Sequence, residues 1–279
     1  MFDRFRSLVL SLTLAAAAGG AWAQDADPAE SAIWKKVHEG VFANAPIADA
    51  AGIVTLETPK RAEDAAIVPI AIRSGFAQSS ARYIDTIWLL VDNNPSPIAA
   101  VFHFTPDSGR ADMETRIRIE QYTHVRAVAK TNDGKLYMAA NYVKASGGCS
   151  APAGKDAIAA KASLGKMRMR VDGIVVPGKP ALAQLMISHP NDSGLAMDQV
   201  TRNYASPHFV RKVEVSYDGK PIMSADVDFS ISENPNFRFW FTPGEGGQLE
   251  AKVVDNQDLE FATTLRLDAV RSASALPSR

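Results

Sequence analysis

The residue whose chemistry stands out in this chain is a cysteine set behind two glycines, in Ser146-Gly147-Gly148-Cys149-Ser150. A cysteine attacks or binds as its thiolate, and the glycines before it strip away side-chain bulk and open backbone conformations closed to other residues. Such a segment suits a thiol that is pushed into another protein's narrow active site. Pro152 and Lys155 would set Cys149 just ahead of a helix start, where the dipole and the nearby Lys144 favour the thiolate. On this reading Cys149 is an exposed covalent attachment point, and Gly147 and Gly148 are its hinge. The bland alternative is a linker that happens to contain a cysteine. An exposed free thiol is a liability under oxidation, which favours use over chance.

Other chemistry is sparse. Cys149 is the single cysteine, so it forms no internal disulfide and cannot alone hold an iron–sulfur cluster or a thiolate zinc site. The sequence has no G-x-S-x-G elbow, P-loop, H-E-x-x-H, G-x-G-x-x-G or C-x-x-C-H. His38, His103, His124, His189 and His208 are scattered without ligand spacing, and His103 and His124 read as satisfied sheet residues. No catalytic constellation, metal site or cofactor is therefore expected. The 279 residues carry 30 Lys+Arg against 31 Asp+Glu, a net charge of −1, which removes the general electrostatic case for nucleic acid. A thiol without a base or metal beside it suits a carrier better than an enzyme.

The elements that must position Cys149 are mostly strands. Ile33, Trp34, Val37, Val41 and Phe42 have helical spacing and predict one short amphipathic helix near the N-terminus. The period then changes. Ile53–Glu57, Ala66–Ile72, Thr86–Val91, Ile98–Phe104, Thr115–Tyr122, His124–Lys130 and Lys135–Val143 are short β-rich runs. Turn signals split them, the strongest being Asp133-Gly134 between alternating strands. Residues 31–145 thus read as one antiparallel β-sandwich of immunoglobulin type. Residues 146–166 are a Gly/Ala-rich linker with a helical turn over Ala153–Ala162, and it carries the cysteine. Strands resume at Met167–Val171 and continue through Ala181–Ser188, His208–Tyr217, Lys220–Ser230, Phe237–Phe241, Leu249–Asp255 and Phe261–Leu267. Residues 167–269 make a second sandwich. The fold class is all-β, with Phe237, Phe239 and Phe241 facing inward by strand alternation, or else Arg238 and Trp240 forming the partner-facing side.

At the N-terminus, Arg4 and Arg6 precede a short apolar run, and Ala21-Trp22-Ala23 is a small-x-small site. Residues 1–23 read as a secretory signal peptide cleaved before Gln24. Export without membrane insertion after cleavage is expected.

The ordered phrases of the two halves resemble a known family. Leu90-Val91-Asp92-Asn93-Asn94-Pro95, Thr115-Arg116-Ile117-Arg118-Ile119, Asp133-Gly134-Lys135-Leu136-Tyr137 and Gly147-Gly148-Cys149 resemble the SoxY subunit of the SoxYZ sulfur-oxidation carrier. Ile187-Ser188-His189-Pro190, Ser193-Gly194, Ile231–Pro235 and Val254-Asp255-Asn256 resemble SoxZ. The whole is similar to the single-chain quinoprotein dehydrogenase-associated SoxYZ-like carriers. The resemblance implies a bacterial periplasmic carrier whose Cys149 holds a sulfur or other thiol-bound intermediate, as in thiosulfate oxidation. Its implied partners are sulfur-oxidation enzymes, or a quinoprotein dehydrogenase with its cytochrome c. One departure matters: the family's cysteine sits in a free C-terminal G-G-C-G-G tail, whereas here the chain runs on through Ser150-Ala151-Pro152 into a second domain. An arm anchored at both ends swings less far. Two other readings stay open: a non-covalent binding or chaperone module for a periplasmic quinoprotein dehydrogenase, and dimerisation through a Cys149–Cys149 disulfide.

Overall fold

The computed structural model describes residues 28–151, 162–197 and 202–267. The signal peptide expected over residues 1–23 and nearly all of the helical turn expected over Ala153–Ala162 lie outside the described residues.

The helix α1 spans Ala32–Phe42, and the Ser31 hydroxyl caps it by accepting the Trp34 N–H at 3.1 Å. The first half of the chain then supplies β1 (Ile47–Asp49), β2 (Val54–Glu57), β3 (Val68–Ser74), β4 (Ile84–Val91) and β5 (Ile98–Phe104). β6 (Met113–Ile117), β7 (Thr123–Thr131) and β8 (Leu136–Val143) complete it. The second half supplies β9 (Met167–Asp172), β10 (Ala181–Ile187), β11 (Val210–Tyr217) and β12 (Lys220–Val227). β13 (Asn236–Phe241), β14 (Gly247–Asp255) and β15 (Glu260–Leu267) follow.

The all-β sandwich expectation holds, with its single short helix. The strand alternation of β13 buries Phe237, Phe239 and Phe241 completely and turns Arg238 and Trp240 outward. Burial of each ring stabilises the fold by about 1.5–3 kcal/mol. Sequence periodicity did not contain the way the halves join. They share both sheets. One has nine strands in the order β1-β8-β7-β4-β5-β12-β11-β14-β15, and the other six, β2-β3-β6-β13-β10-β9. β5 pairs with β12 over Phe104↔Met223 to Ala100↔Val227, and β6 pairs with β13 at Glu114↔Arg238 and Met113↔Phe239. The core is therefore continuous between the halves, as Phe102 meets Phe237 edge-on at 6.4 Å.

Outside the sandwich, α1 lays Trp34 and Phe42 over Leu90, Val128 and Leu136 on the outer face of the larger sheet. Arg126, fully buried, fixes it there. Its guanidinium bonds both Asp92 oxygens (2.8 and 2.6 Å), donates to the Pro28 carbonyl at 2.7 Å and lies 4.4 Å from the Trp34 ring.

One expected strand is shortened. The run Thr115–Tyr122 leaves the ladder after Ile117 because its backbone finds other partners. The Arg118 N–H donates to the Ser230 carbonyl at 2.7 Å and the Ile119 N–H to the Ala65 carbonyl at 2.8 Å. That departure builds the seat of the cysteine.

Candidate functional site

Residues 118–120 form a cradle at the end of β6, and Asn94 sets its shape. The Asn94 amide donates to the Arg118 carbonyl (2.8 Å) and the Ser230 hydroxyl (2.9 Å), while its oxygen accepts the Glu120 N–H at 2.9 Å. The glycine segment lies along this cradle. Gly147 N–H donates to the Glu120 carbonyl and Gly148 N–H to the Ile119 carbonyl, both at 2.9 Å. Gly147 has φ of 83°, where a side chain would be strained. Gly148 presses its Cα against the Ala65 carbonyl so closely that a methyl group would overlap it.

The Glu120 carboxylate closes the arrangement. It accepts the Cys149 N–H at 2.8 Å, the Ser150 N–H at 3.1 Å and the Ser150 hydroxyl at 2.9 Å. From the second half of the chain the Ser193 hydroxyl donates to the Cys149 carbonyl at 2.5 Å and accepts the Leu195 N–H at 3.1 Å. The segment is thus clasped between the two halves.

Cys149 is consequently not the exposed thiol expected from its glycine-rich surroundings. It is 1 % exposed. The thiol is pushed up to about 12, first by burial and then by the Glu120 charge, against the opposing pull of Arg118. The expectation that Lys144 and a helix start favour the thiolate is overturned by this burial. Gly147 and Gly148 are likewise pinned by backbone hydrogen bonds in this state. In the docked position the sulfur is shielded from a second molecule's thiol.

Arg118 crosses the same junction. Its guanidinium donates to the carbonyls of Asn191 and, at 3.2 Å, Phe229. Burial lowers its affinity for a proton, and Cys149 and Glu233 are among the groups that counter this. The loop that receives it is held by a second cluster. Asn191 donates to the Ile231 carbonyl (2.9 Å) and accepts the Val210 N–H (2.9 Å). His189, two residues earlier, shares one oxygen of buried Asp255 with His208, at 3.5 and 2.7 Å.

His189, His208 and Asp255 converge closely enough to suggest metal ligation. The hydrogen bonding points elsewhere. The His189 Nδ1 accepts the Asn191 N–H at 3.0 Å, so the neutral ring carries its proton on Nε2, the nitrogen facing Asp255. That nitrogen has no lone pair for a cation. Burial and His208 hold His189 down to about 4, so it stays neutral, and the trio is a hydrogen-bonded bridge. The remaining histidines stand apart: His103 is half-exposed beside Asp226 at 3.5 Å, His124 packs on Tyr142, and His38 meets the Ala45 carbonyl.

Sequence reasoning found Cys149, Gly147 and Gly148 but missed Glu120, Ser193 and the docking role of Asn94. The signal for Asn94 was present in the Asn94-Pro95 turn, and Arg118 and Ser193 stood inside the phrases of the resemblance.

Comparison with known proteins settles the composition of the chain. Residues 38–149 match the family model of the sulfur oxidation protein SoxY, a match that ends on Cys149 itself, and residues 169–266 match that of the sulphur oxidation protein SoxZ. The chain carries a SoxY-matching part and a SoxZ-matching part in tandem. The cradle and the cysteine belong to the SoxY part, and Ser193 and the histidine bridge to the SoxZ part. No curated protein sequence matches the chain. Among solved structures it is similar to the sulfur carrier protein SoxY from Chlorobium limicola f thiosulfatophilum, at 23% identity and a TM-score of 0.34, covering 40% of this chain and 90% of that one. It is also similar to a superoxide reductase (neelaredoxin) from Ignicoccus hospitalis, at 15% identity and a TM-score of 0.30, covering 33% and 79%. Among the described residues no helix is long and apolar enough to cross a membrane.

Proposed function

We propose that this chain is a SoxY–SoxZ fusion serving as an exported, periplasmic covalent sulfur carrier, that Cys149 is its attachment residue, and that the docked segment is its resting state. The observation that carries the reading is the seat of the chain's only cysteine. It closes the SoxY part, and its backbone is held at the seam with the SoxZ part by a few polar contacts from Glu120 and Ser193. Such contacts release without unfolding the sandwich. Gly147 and Gly148 then provide the hinge about which the segment turns out to a partner.

Loading joins the cysteine sulfur to the sulfane sulfur of a species such as thiosulfate. The Cys149 S–H bond is replaced by an S–S bond, one proton is released, and two electrons pass to a partner oxidoreductase. That partner is a sulfur-oxidation enzyme or a quinoprotein dehydrogenase with its cytochrome c. The chain itself contributes the thiol, the hinge and the docking surfaces.

One observation favours the second reading, a non-covalent binding module. The thiol is buried and strongly disfavours ionisation where it lies. Intact mass of the protein from its native compartment, with and without reductant, separates the two. A reductant-sensitive increment on Cys149 supports the carrier and its size names the cargo. An unmodified thiol while the partner dehydrogenase is expressed supports the binding module.

A further inference from the structure

The outer face of the six-stranded sheet divides into two zones of different electrostatic character. In one, Arg238, Arg73 and Arg170 each have a polar side-chain partner. Arg238 reaches Glu114 and Asp172, both at 2.8 Å, Arg73 reaches Glu114 at 2.7 Å, and Arg170 reaches Gln184 at 2.7 Å. These charges are spent within the sheet.

The neighbouring zone is a cleft of about 500 Å³ that contains Arg116, Lys166 and Arg168 and no carboxylate among its lining residues. Met186 lies beside Arg168 on one side and Asn236 on the other by strand register. Lys166 and Arg168 are exposed, and neither has an acidic partner among the described residues. Arg116 spends one contact on the Asn234 carbonyl at 3.1 Å, and its Nε is buried without a partner. The carboxylate nearest Arg116 in sequence, Glu114, is engaged by Arg73 and Arg238 instead. None of the three cations thus has an ion-pair partner among the described residues, although Arg116 also lines the adjoining cleft with Glu57 and Glu114.

Their spacing selects the ligand. Arg116 stands on β6 and Arg168 on β9, with β13 and β10 between them. Three strand steps separate their attachment points by about 14 Å. Two acidic side chains four residues apart on an extended segment are separated by about 13 Å, which matches that width. The cleft also opens at the cysteine's end of the sandwich. Arg116 is two residues before Arg118 on the cradle strand, and Ser188, in the cleft wall, adjoins His189 of the loop that carries Ser193.

We infer that this cleft is a docking site for an acidic segment of a partner protein, which it seats beside the Cys149 clasp. The inference concerns docking and does not depend on whether Cys149 carries cargo.

A fluorescently labelled octaglutamate peptide tests it on the full chain. Binding is expected at about 25 mM salt and weakens by at least about tenfold at 200 mM, as screening requires. Replacing Arg116, Lys166 and Arg168 together by Gln lowers affinity at low salt by at least about tenfold. The same change at Arg211, Lys212 and Lys252, each paired with an acid on the other sheet, leaves it unchanged. Arg168→Glu, on an exposed side chain, gives the same loss as the triple variant should that one fail to fold. Cys149→Ser binds like the parent, so a failed carrier reading leaves this result standing. Equal binding by parent and triple variant overturns the inference, as does equal loss in the control. Displacement of the peptide by millimolar sulfate at constant ionic strength overturns it in favour of a small-anion site.

Discussion

The Glu120 carboxylate holds the backbone of Cys149, accepting its N–H at 2.8 Å, while its charge also raises the proton affinity of the thiol it holds. One side chain therefore keeps the sulfur both hidden and protonated. Removing it acts on both. In Glu120→Ala, Cys149 is expected to react with a disulfide reagent at pH 8 at least about tenfold faster than in the parent, since even one lost charge-assisted bond exceeds 1.4 kcal/mol. Glu120→Gln keeps an acceptor for the cysteine N–H and removes the charge, so its rate lies between the two. Parent-like labelling in Glu120→Ala rules out the clasp.

Burial changes what a conservative substitution at the cysteine does. An exposed Cys149 would tolerate serine without loss of stability. At 1 % exposure, Cys149→Ser places a hydroxyl where a weakly polar thiol lay, costing about 1–3 kcal/mol. Urea denaturation measures this directly. Cys149→Ala, which adds no polar group, is expected to lose less, and the reverse order would mean that the serine finds a buried partner.

The strand pattern was legible because side-chain alternation is a local property. Phe237, Phe239 and Phe241 announce their own burial, and the Asp133-Gly134 turn its own hairpin. β1 was not legible, since three residues, Ile47–Asp49, pair only with β8 and show no alternation. The joining of the halves was hidden for a related reason. It rests on backbone pairing of β5 with β12 across more than a hundred residues, which no periodicity records. Cys149 was found by its type but misplaced in its environment. Gly147 and Gly148 read as freedom of the backbone, whereas Gly148 is required because the Ala65 carbonyl leaves no room for a side chain. Glu120 and Ser193 reach the segment from 29 and 44 residues away.

That reading of Gly148 makes its own prediction. Gly148→Ala forces the segment off the cradle, whereas Gly147→Ala meets open space and pays only for its φ of 83°. Labelling of Cys149 is expected to accelerate more in the first variant than in the second. Were the glycines only a hinge for a free arm, both substitutions would slow presentation of the thiol equally.

Arg118 binds the halves together at the clasp. Replacing it by Met removes the donor for the carbonyls of Asn191 and Phe229, at a cost of about 3–4 kcal/mol if neither finds another. The loop that carries Ser193 loses its anchor in the same step. The expected signature is a lowered urea midpoint together with faster Cys149 labelling under native conditions. A lowered midpoint with unchanged labelling would separate the arginine from the clasp.

The histidine bridge sets the acid side of the stability profile. His189 is held at about 4 against an ordinary 6.5, first by burial and then by His208, with Asp255 opposing. The Asn191 N–H that its Nδ1 accepts would face an N–H of the charged ring. Below about pH 6.5 the unfolded chain therefore binds a proton that the folded chain refuses. Stability from this group is complete above that pH and is lost as the pH falls towards 4, by up to roughly 3 kcal/mol. In His189→Gln the urea midpoint is expected to start lower at pH 7.5 but to fall less steeply between pH 6.5 and 4. A slope equal to the parent's would assign the acid sensitivity to other groups and leave His189 a packing residue.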